Sequence, residues 1–232
     1  TAVVTPVEPV DQLAFELWKA TNTFEQKQKG YYGVYVKILT GDIPTDKARI
    51  LVSGVQGHIA DDIRITQDQN LLFKYVRPES LPHIFNVLTE LGYAKPGYNS
   101  TSDVTTCPGT DTCNLGISNS TEMARVLEKY IHEFHQDFIY EQHLKIKISG
   151  CMNSCGQHGL AHIGFHGSSV KAAGKVVPAA QVMLGGRLYD AATLNETVTG
   201  TRKRQAYWWE SGSAGADTGA RITVGHGHGD VD

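Results

Sequence analysis

All four cysteines of this 232-residue chain fall in two tight pairs, Cys107-x5-Cys113 and Cys151-x3-Cys155. Four thiolates delivered by two loops make a closed ligand set for a soft metal centre, so the fold must bring the loops together. The inner spacings are wider than the C-x2-C pairs usual in zinc ribbons and knuckles. The pairs sit in polar, Gly-bearing strings, Thr106-Cys107-Pro108-Gly109-Thr110-Asp111-Thr112-Cys113-Asn114 and Gly150-Cys151-Met152-Asn153-Ser154-Cys155-Gly156-Gln157. Gly109, Gly150 and Gly156 give the backbone freedom to wrap a cluster. Asn114 and Asn153 are candidate hydrogen-bond donors near the sulfurs. Two disulfides or a structural zinc are the alternatives. A disulfide-stapled domain would be shorter, with its bridges spread along the chain, so an iron–sulfur centre is the leading reading. Thiolate ligands need a reducing compartment, which leads to an expected cytoplasmic location.

The rest of the chain reads as α+β. Asp11 caps a helix whose apolar face is Leu13, Ala14, Leu17 and Trp18, and a polar linker covers 21–30. A strand over 31–39 leads to a helix capped by Thr45, with Ala48, Leu51, Val52 and Val55 on one face. Strands at 63–66 and 71–76 follow. Then comes a helix capped by Ser80, carrying Leu81, Ile84, Phe85, Leu88 and Leu91 and closed by Gly92. The order strand, helix, strand, strand, helix predicts a ferredoxin-like, split βαβ subdomain over 29–97, preceded by a helix and linker at 1–28. A second α+β subdomain covers 98–186. It holds a helix begun by Asn119 and Glu122 that buries Met123, Leu127, Tyr130, Ile131 and Phe134. Strands are expected at 144–149, 161–166 and 180–184. The segment 187–232 has no clear period and reads as a disordered tail.

The cysteine strings, with Arg64-Ile65-Thr66-Gln67-Asp68-Gln69-Asn70-Leu71, resemble the signatures of the siroheme-dependent nitrite and sulfite reductases. The resemblance runs from about Trp18 to about Gly186 and makes the second subdomain a siroheme and [4Fe–4S] binding unit. It implies that Cys107, Cys113, Cys151 and Cys155 hold the [4Fe–4S] cluster, with Cys155 bridging to the siroheme iron. It implies that Arg64, Gln69, Asn70 and Asn153 contact siroheme. An Arg fork suits a carboxylate. The family is normally a tandem repeat with the cysteines in its second copy, and no second R-x-T-x-x-Q motif is present. The basic cage around the substrate anion is therefore expected mainly in a first repeat outside this chain. Lys145 and Lys147 are candidates for it, although alternation favours exposed strand lysines. The chain opens on Thr, not Met, so a fragment or processed product is expected.

The implied reaction is six-electron reduction of nitrite to ammonia, or of sulfite to sulfide, with ferredoxin or a similar donor. Neutral Gln157, where sulfite reductases more often carry Arg, favours nitrite. An electron-transfer module without siroheme is the reading from another class. No segment approaches the ~20 apolar residues of a membrane span. A net charge of −3 gives no reason to expect nucleic-acid binding. His158, His162 and His166 recur at helical spacing but lie on an alternating, strand-like stretch, which argues against a histidine metal site.

Overall fold

Asp11 starts the first helix, α1 (Gln12–Asn22), through its Oδ1, which accepts the Ala14 N–H at 3.0 Å. The computed structural model describes residues 7–60, 62–172 and 174–185, and the backbone alone of 207–209 and 222–223. Its chain divides into two units, one of Thr1–Asp103 with Phe134–Gln142 and one of Val104–Glu133 with His143–Asp232.

In the first unit α1 is followed by β1 (Thr23–Glu25), β2 (Tyr32–Val36), α2 (Thr45–Val55), β3 (Ile63–Ile65), β4 (Leu71–Val76) and α3 (Leu81–Leu91). The sheet runs β1-β2-β4-β3, and each neighbouring pair is antiparallel. β2 and β3 flank β4 and α2 connects them, which is the expected split βαβ. The remaining edge is taken by β1, inside the stretch read as a polar linker. The buried side of α1 is Phe15 and Trp18, while Leu13 and Leu17 are exposed. Both aromatic rings stand within 5.4 Å of the Phe85 centroid, a larger apolar contact than the leucines offer. Leu51 and Val55 of α2 join this core, but Val52 is exposed, and Pro44 rather than Thr45 holds the cap position. α3 closes on Gly92 at φ 79°, the left-handed C-cap its sequence predicts.

The second unit holds β5 (Thr105–Thr106), α4 (Ser120–Phe134), β6 (Ile146–Ser149), β7 (Ile163–Ala172), β8 (Lys175–Leu184), β9 (Tyr207–Trp209) and β10 (Ile222–Thr223). Its sheet order is β10-β9-β8-β7-β6-β5. β5, β6 and β7 are parallel, and β7 and β8 form a long antiparallel hairpin that outruns the short strands expected there. Asn119 caps α4, its Oδ1 accepting the Glu122 N–H at 3.1 Å. Met123, Ala124 and Ile131 face the sheet, while Tyr130 and Phe134, expected in the core, are exposed. Glu128 turns inward instead and accepts the Val104 N–H at 3.1 Å, because the strand entry leaves that donor buried. The expected disordered tail lies outside the described residues, apart from the backbones of β9 and β10, which extend the sheet. Among the described residues no helix is long and apolar enough to cross a membrane.

Candidate metal centre

Parallel pairing explains why two cysteine loops distant in sequence meet. Thr105 lies opposite Lys147 and Thr106 opposite Ile148, so β5 and β6 end at the same edge of the sheet. Cys107 follows one strand and Gly150-Cys151 the other. This carboxyl end is where open parallel sheets place their ligands. The Cys107 N–H donates to Ile148 O at 3.2 Å, and its Sγ accepts the Gly150 N–H at 3.1 Å. Ser120 Oγ donates to the Cys107 carbonyl at 2.7 Å and stands 3.7 Å from its sulfur. Ile117 and Ser118 both donate backbone N–H groups to Gly150 O, at 2.8 and 3.1 Å. The first loop is thus folded back onto the second. Bare backbone makes this possible. A Cβ on Gly150 would stand 2.5 Å from Gly109 Cα, and one on Gly167 would stand 2.5 Å from the Gly150 carbonyl carbon.

The second pair sits in a strained turn. Ser154 and Gln157, either side of Cys155 and Gly156, adopt φ 62° and 60°, a conformation worth roughly 1–3 kcal/mol of strain for a non-glycine residue. The turn is held by the Gln157 N–H on Ser154 O at 2.8 Å and the Gly156 N–H on Ser149 Oγ at 3.0 Å. Ser149 Oγ is also 2.9 Å from Nδ1 of buried His158, whose ring lies 4.8 Å from that of His166. Burial, reinforced by His166, pulls His158 down to about 4, so it is neutral at pH 7. His162 points elsewhere, and its Nδ1 accepts the Lys145 N–H at 3.1 Å.

Cys107 and Cys151 are buried, Cys113 and Cys155 are exposed, and none forms a disulfide. Among the described residues no three His, Cys, Asp or Glu side chains converge on a position for a single ion. The donor set fits a cubane: soft sulfurs, a backbone N–H already aimed at one of them, and a glycine-lined approach that any Cβ would fill.

Lys145 and Lys147 correct the expectation of exposed strand lysines, since they are 8% and 2% exposed. β6 lies between two parallel neighbours and is buried on both faces, so alternation does not mark a solvent face. Lys147 Nζ donates to Thr105 Oγ1 at 3.2 Å. Asn114 and Asn153 are exposed. Arg64, Gln69 and Asn70 belong to the other unit. Arg64 lies on edge strand β3 with its side chain 61% exposed and its Nε 2.8 Å from Asp62. Gln69 takes φ 64° in the 66–70 turn. Asn70 is fully buried, and both ends of its amide are engaged. Its Oδ1 accepts the Ile38 N–H at 2.7 Å, and its Nδ2 donates to Asp103 at 2.9 Å. The Asn70 side chain thus ties the end of the 66–70 turn to Ile38 and Asp103. Asp103 is itself buried, which raises its carboxyl above the usual range against the opposing pull of Lys37.

A family model described as the nitrite and sulphite reductase 4Fe-4S domain matches residues 97–229. A second, the nitrite/sulfite reductase ferredoxin-like half domain, matches 24–91. The chain belongs to the nitrite and sulfite reductase family. The match to this family runs well past Gly186, where the sequence resemblance was expected to stop. The chain is 26% identical over 178 residues to the ferredoxin–nitrite reductase of Synechococcus elongatus, covering 75% of this chain and 34% of that protein. It is 29% identical over 113 residues to the NADPH sulfite reductase hemoprotein beta-component of Geobacillus kaustophilus, covering 47% and 20%. The NirA protein of Mycobacterium tuberculosis superposes with TM-score 0.65 at 25% identity, over 82% of this chain and 34% of that one. The chain thus spans about a third of the length of the Synechococcus and Mycobacterium relatives.

Ser149, which pins the Cys155 turn, does not stand out in the sequence, and its partner His158 shows there only as one of a spaced histidine trio. The available signal was glycine inside a strand: Gly164 and Gly167 interrupt β7, and a Cβ on Gly164 would stand 2.9 Å from the His158 carbonyl carbon.

Proposed function

We propose that this chain is the cofactor-bearing half of a siroheme-dependent reductase that converts nitrite to ammonia. The observation that carries the reading is the pairing of both cysteine loops at the carboxyl ends of β5 and β6, with the Gly150 N–H on Cys107 Sγ. Cys107, Cys113, Cys151 and Cys155 would hold a [4Fe–4S] cluster as thiolates. When bound, that cluster and siroheme supply the electrons and the iron at which the anion is reduced. The chain's own part is placement and tuning. The Gly150 N–H draws electron density from the Cys107 sulfur, which favours the reduced state. Arg64 keeps its terminal nitrogens for a siroheme carboxylate while Asp62 holds its Nε, and Gln69 and Asn153 add neutral donors. Ferredoxin or a similar one-electron protein in a reducing compartment is the donor, and the family's remaining repeat supplies most of the anion cage.

Nitrite is preferred because Gln157 is neutral. Sulfite is favoured by the buried Lys145 and Lys147, since a doubly charged anion gains more from nearby positive charge. Turnover of the two anions by the complete polypeptide with a reduced viologen donor decides between them. Faster nitrite turnover is expected, and faster sulfite turnover reverses the assignment. The burial of Asn70 favours a cluster-only electron-transfer module, which would show iron–sulfur absorption after reconstitution without siroheme bands.

A further inference from the structure

β4 ends, at Val76, far from the 66–70 turn that begins it, and there a cavity of ≈ 130 Å³ opens within the first unit. Its walls include Tyr31, Gly57, His58, Tyr75, Arg77 and Ser80. Tyr75 takes φ 56°, a left-handed conformation that is an outlier for so bulky a side chain. Its N–H is held by Gln26 Oε1 at 2.6 Å and its ring meets Tyr31 edge-on at 5.8 Å. Strain of this kind persists where the surroundings overdetermine it, and it clusters at ligand clamps.

The polar groups around the cavity point the same way. Ser80 is 1% exposed and occupies the N-cap of α3, yet makes no side-chain cap bond. Its hydroxyl is 3.2 Å from His58 Nδ1 instead. A short 3-10 turn, Pro78–Ser80, carries the chain straight into α3, so the Ser80 hydroxyl is engaged at the cavity and not by the helix. His58 stacks on His83 at 3.9 Å, and His83 Nε2 is anchored to Gly54 O at 2.8 Å. Burial, then His83, holds His58 below the ordinary histidine range, so the ring offers a hydrogen bond without a charge. Charge comes from Arg77, whose contact with Glu79 is 4.0 Å, the outer limit of an ion pair. At Gly57, φ is 82° and an added Cβ would meet nothing within 4 Å, so that wall is open backbone.

We propose that this cavity binds a phosphate-type oxyanion, with Arg77 as its charge partner and Ser80 and His58 as neutral hydrogen-bonding groups. The site is independent of the reductase reading: it lies in the unit without cysteines and at the opposite end of β4 from Arg64 and Gln69. The anion can arrive free or as a phosphate monoester. Calorimetric titration of the full chain in chloride buffer with inorganic phosphate and, separately, with AMP distinguishes the two sources. Saturable binding of either probe is expected, and the tighter one identifies the source. Arg77→Gln should weaken it about tenfold or more, the worth of one charge-assisted hydrogen bond, and Arg77→Lys should recover part of it. No saturable binding of either probe, or wild-type affinity in Arg77→Gln, overturns the proposal. Should Arg77→Gln lose its folded circular dichroism, the His58 ring resonance of the wild type decides. A saturable phosphate-dependent shift there supports the site, and its absence sinks it.

Discussion

In the first unit fourteen buried apolar side chains, from Phe15 to Leu91, form one cluster among the described residues. Among the described residues of the second unit the corresponding cluster holds eight. There the ground around the cysteine loops is occupied by Ser118, Ser120, Ser149, His158 and bare glycine backbone. Each large apolar side chain contributes about 1.5–3 kcal/mol when buried, so the first unit has the means to fold without a ligand. Around its cysteine loops the second presents polar side chains and bare backbone, a shape that receives one. Where a site is completed by its metal, binding free energy becomes folding free energy. Stability and cofactor binding should therefore separate between the units, and substitutions can test that separation.

The largest effect is expected at Trp18, wholly buried against Phe15 and Phe85. Trp18→Ala should cost about 3–5 kcal/mol, read by denaturant unfolding. Iron bound per chain after reconstitution should stay at the wild-type level under native conditions. If iron is lost together with the first unit's core, the two units are not independent and the contrast fails.

Gly150→Ala attacks the other side of the comparison. Its new methyl group would lie 2.5 Å from Gly109 Cα, backbone against backbone, with no flexible side chain to give way. Overpacking of this kind costs about 1–3 kcal/mol, less than Trp18→Ala. Yet it should abolish iron loading, because it separates the loops that carry Cys107 and Cys151. Retained iron with four sulfurs still ligated would show that the glycine contact is not what gathers the ligands.

The same contrast explains what could be read from the chain before its structure. In the first unit local periodicity and burial coincide best in α3, whose apolar face and Gly92 stop are as expected, whereas Leu13, Leu17 and Val52 of the expected faces of α1 and α2 are exposed. Errors there are local, such as β1, whose three residues pair with β2 inside a polar stretch too short to show a pattern. In the second unit the cysteine pairs announce themselves, but their surroundings do not. β6 alternates Lys and Ile as a half-exposed strand would, and it is buried on both faces because of neighbours far away in sequence. Glu128, Ser149 and His158 are likewise interior only because a distant backbone N–H or hydroxyl meets them. Polar interiors are set by partners, and partners are not periodic.

A smaller effect should appear with pH in the second unit. His158 has an ordinary value of 6.5 when unfolded and about 4 when folded, mainly through burial. The unfolded chain therefore takes up this proton first. The stability associated with neutral His158 is complete above about pH 6.5 and is lost as pH falls toward 4. Some 1–2 kcal/mol should go in that window, allowing for partial solvation. His158→Gln, which cannot titrate, should lose correspondingly less. Parallel pH profiles for the two proteins, measured without cofactor, would show that other groups dominate.

Arg64 gives the smallest expected change in stability and the sharpest test of the cofactor assignment. Its ion pair with Asp62 joins two side chains that are 61% and 48% exposed. Such pairs contribute roughly 0–1 kcal/mol. Removing the guanidinium should therefore leave denaturant unfolding almost unchanged, in contrast to Trp18→Ala. If Arg64 holds a siroheme carboxylate, Arg64→Ala should lower siroheme retained per chain after gel filtration of the reconstituted protein, while iron–sulfur absorption stays at the wild-type level. Arg64→Lys restores the charge but not the bidentate fork, so retention should recover only in part. Equal siroheme retention in all three proteins would make Arg64 a solvated strand residue. The siroheme assignment would then rest on the second unit alone.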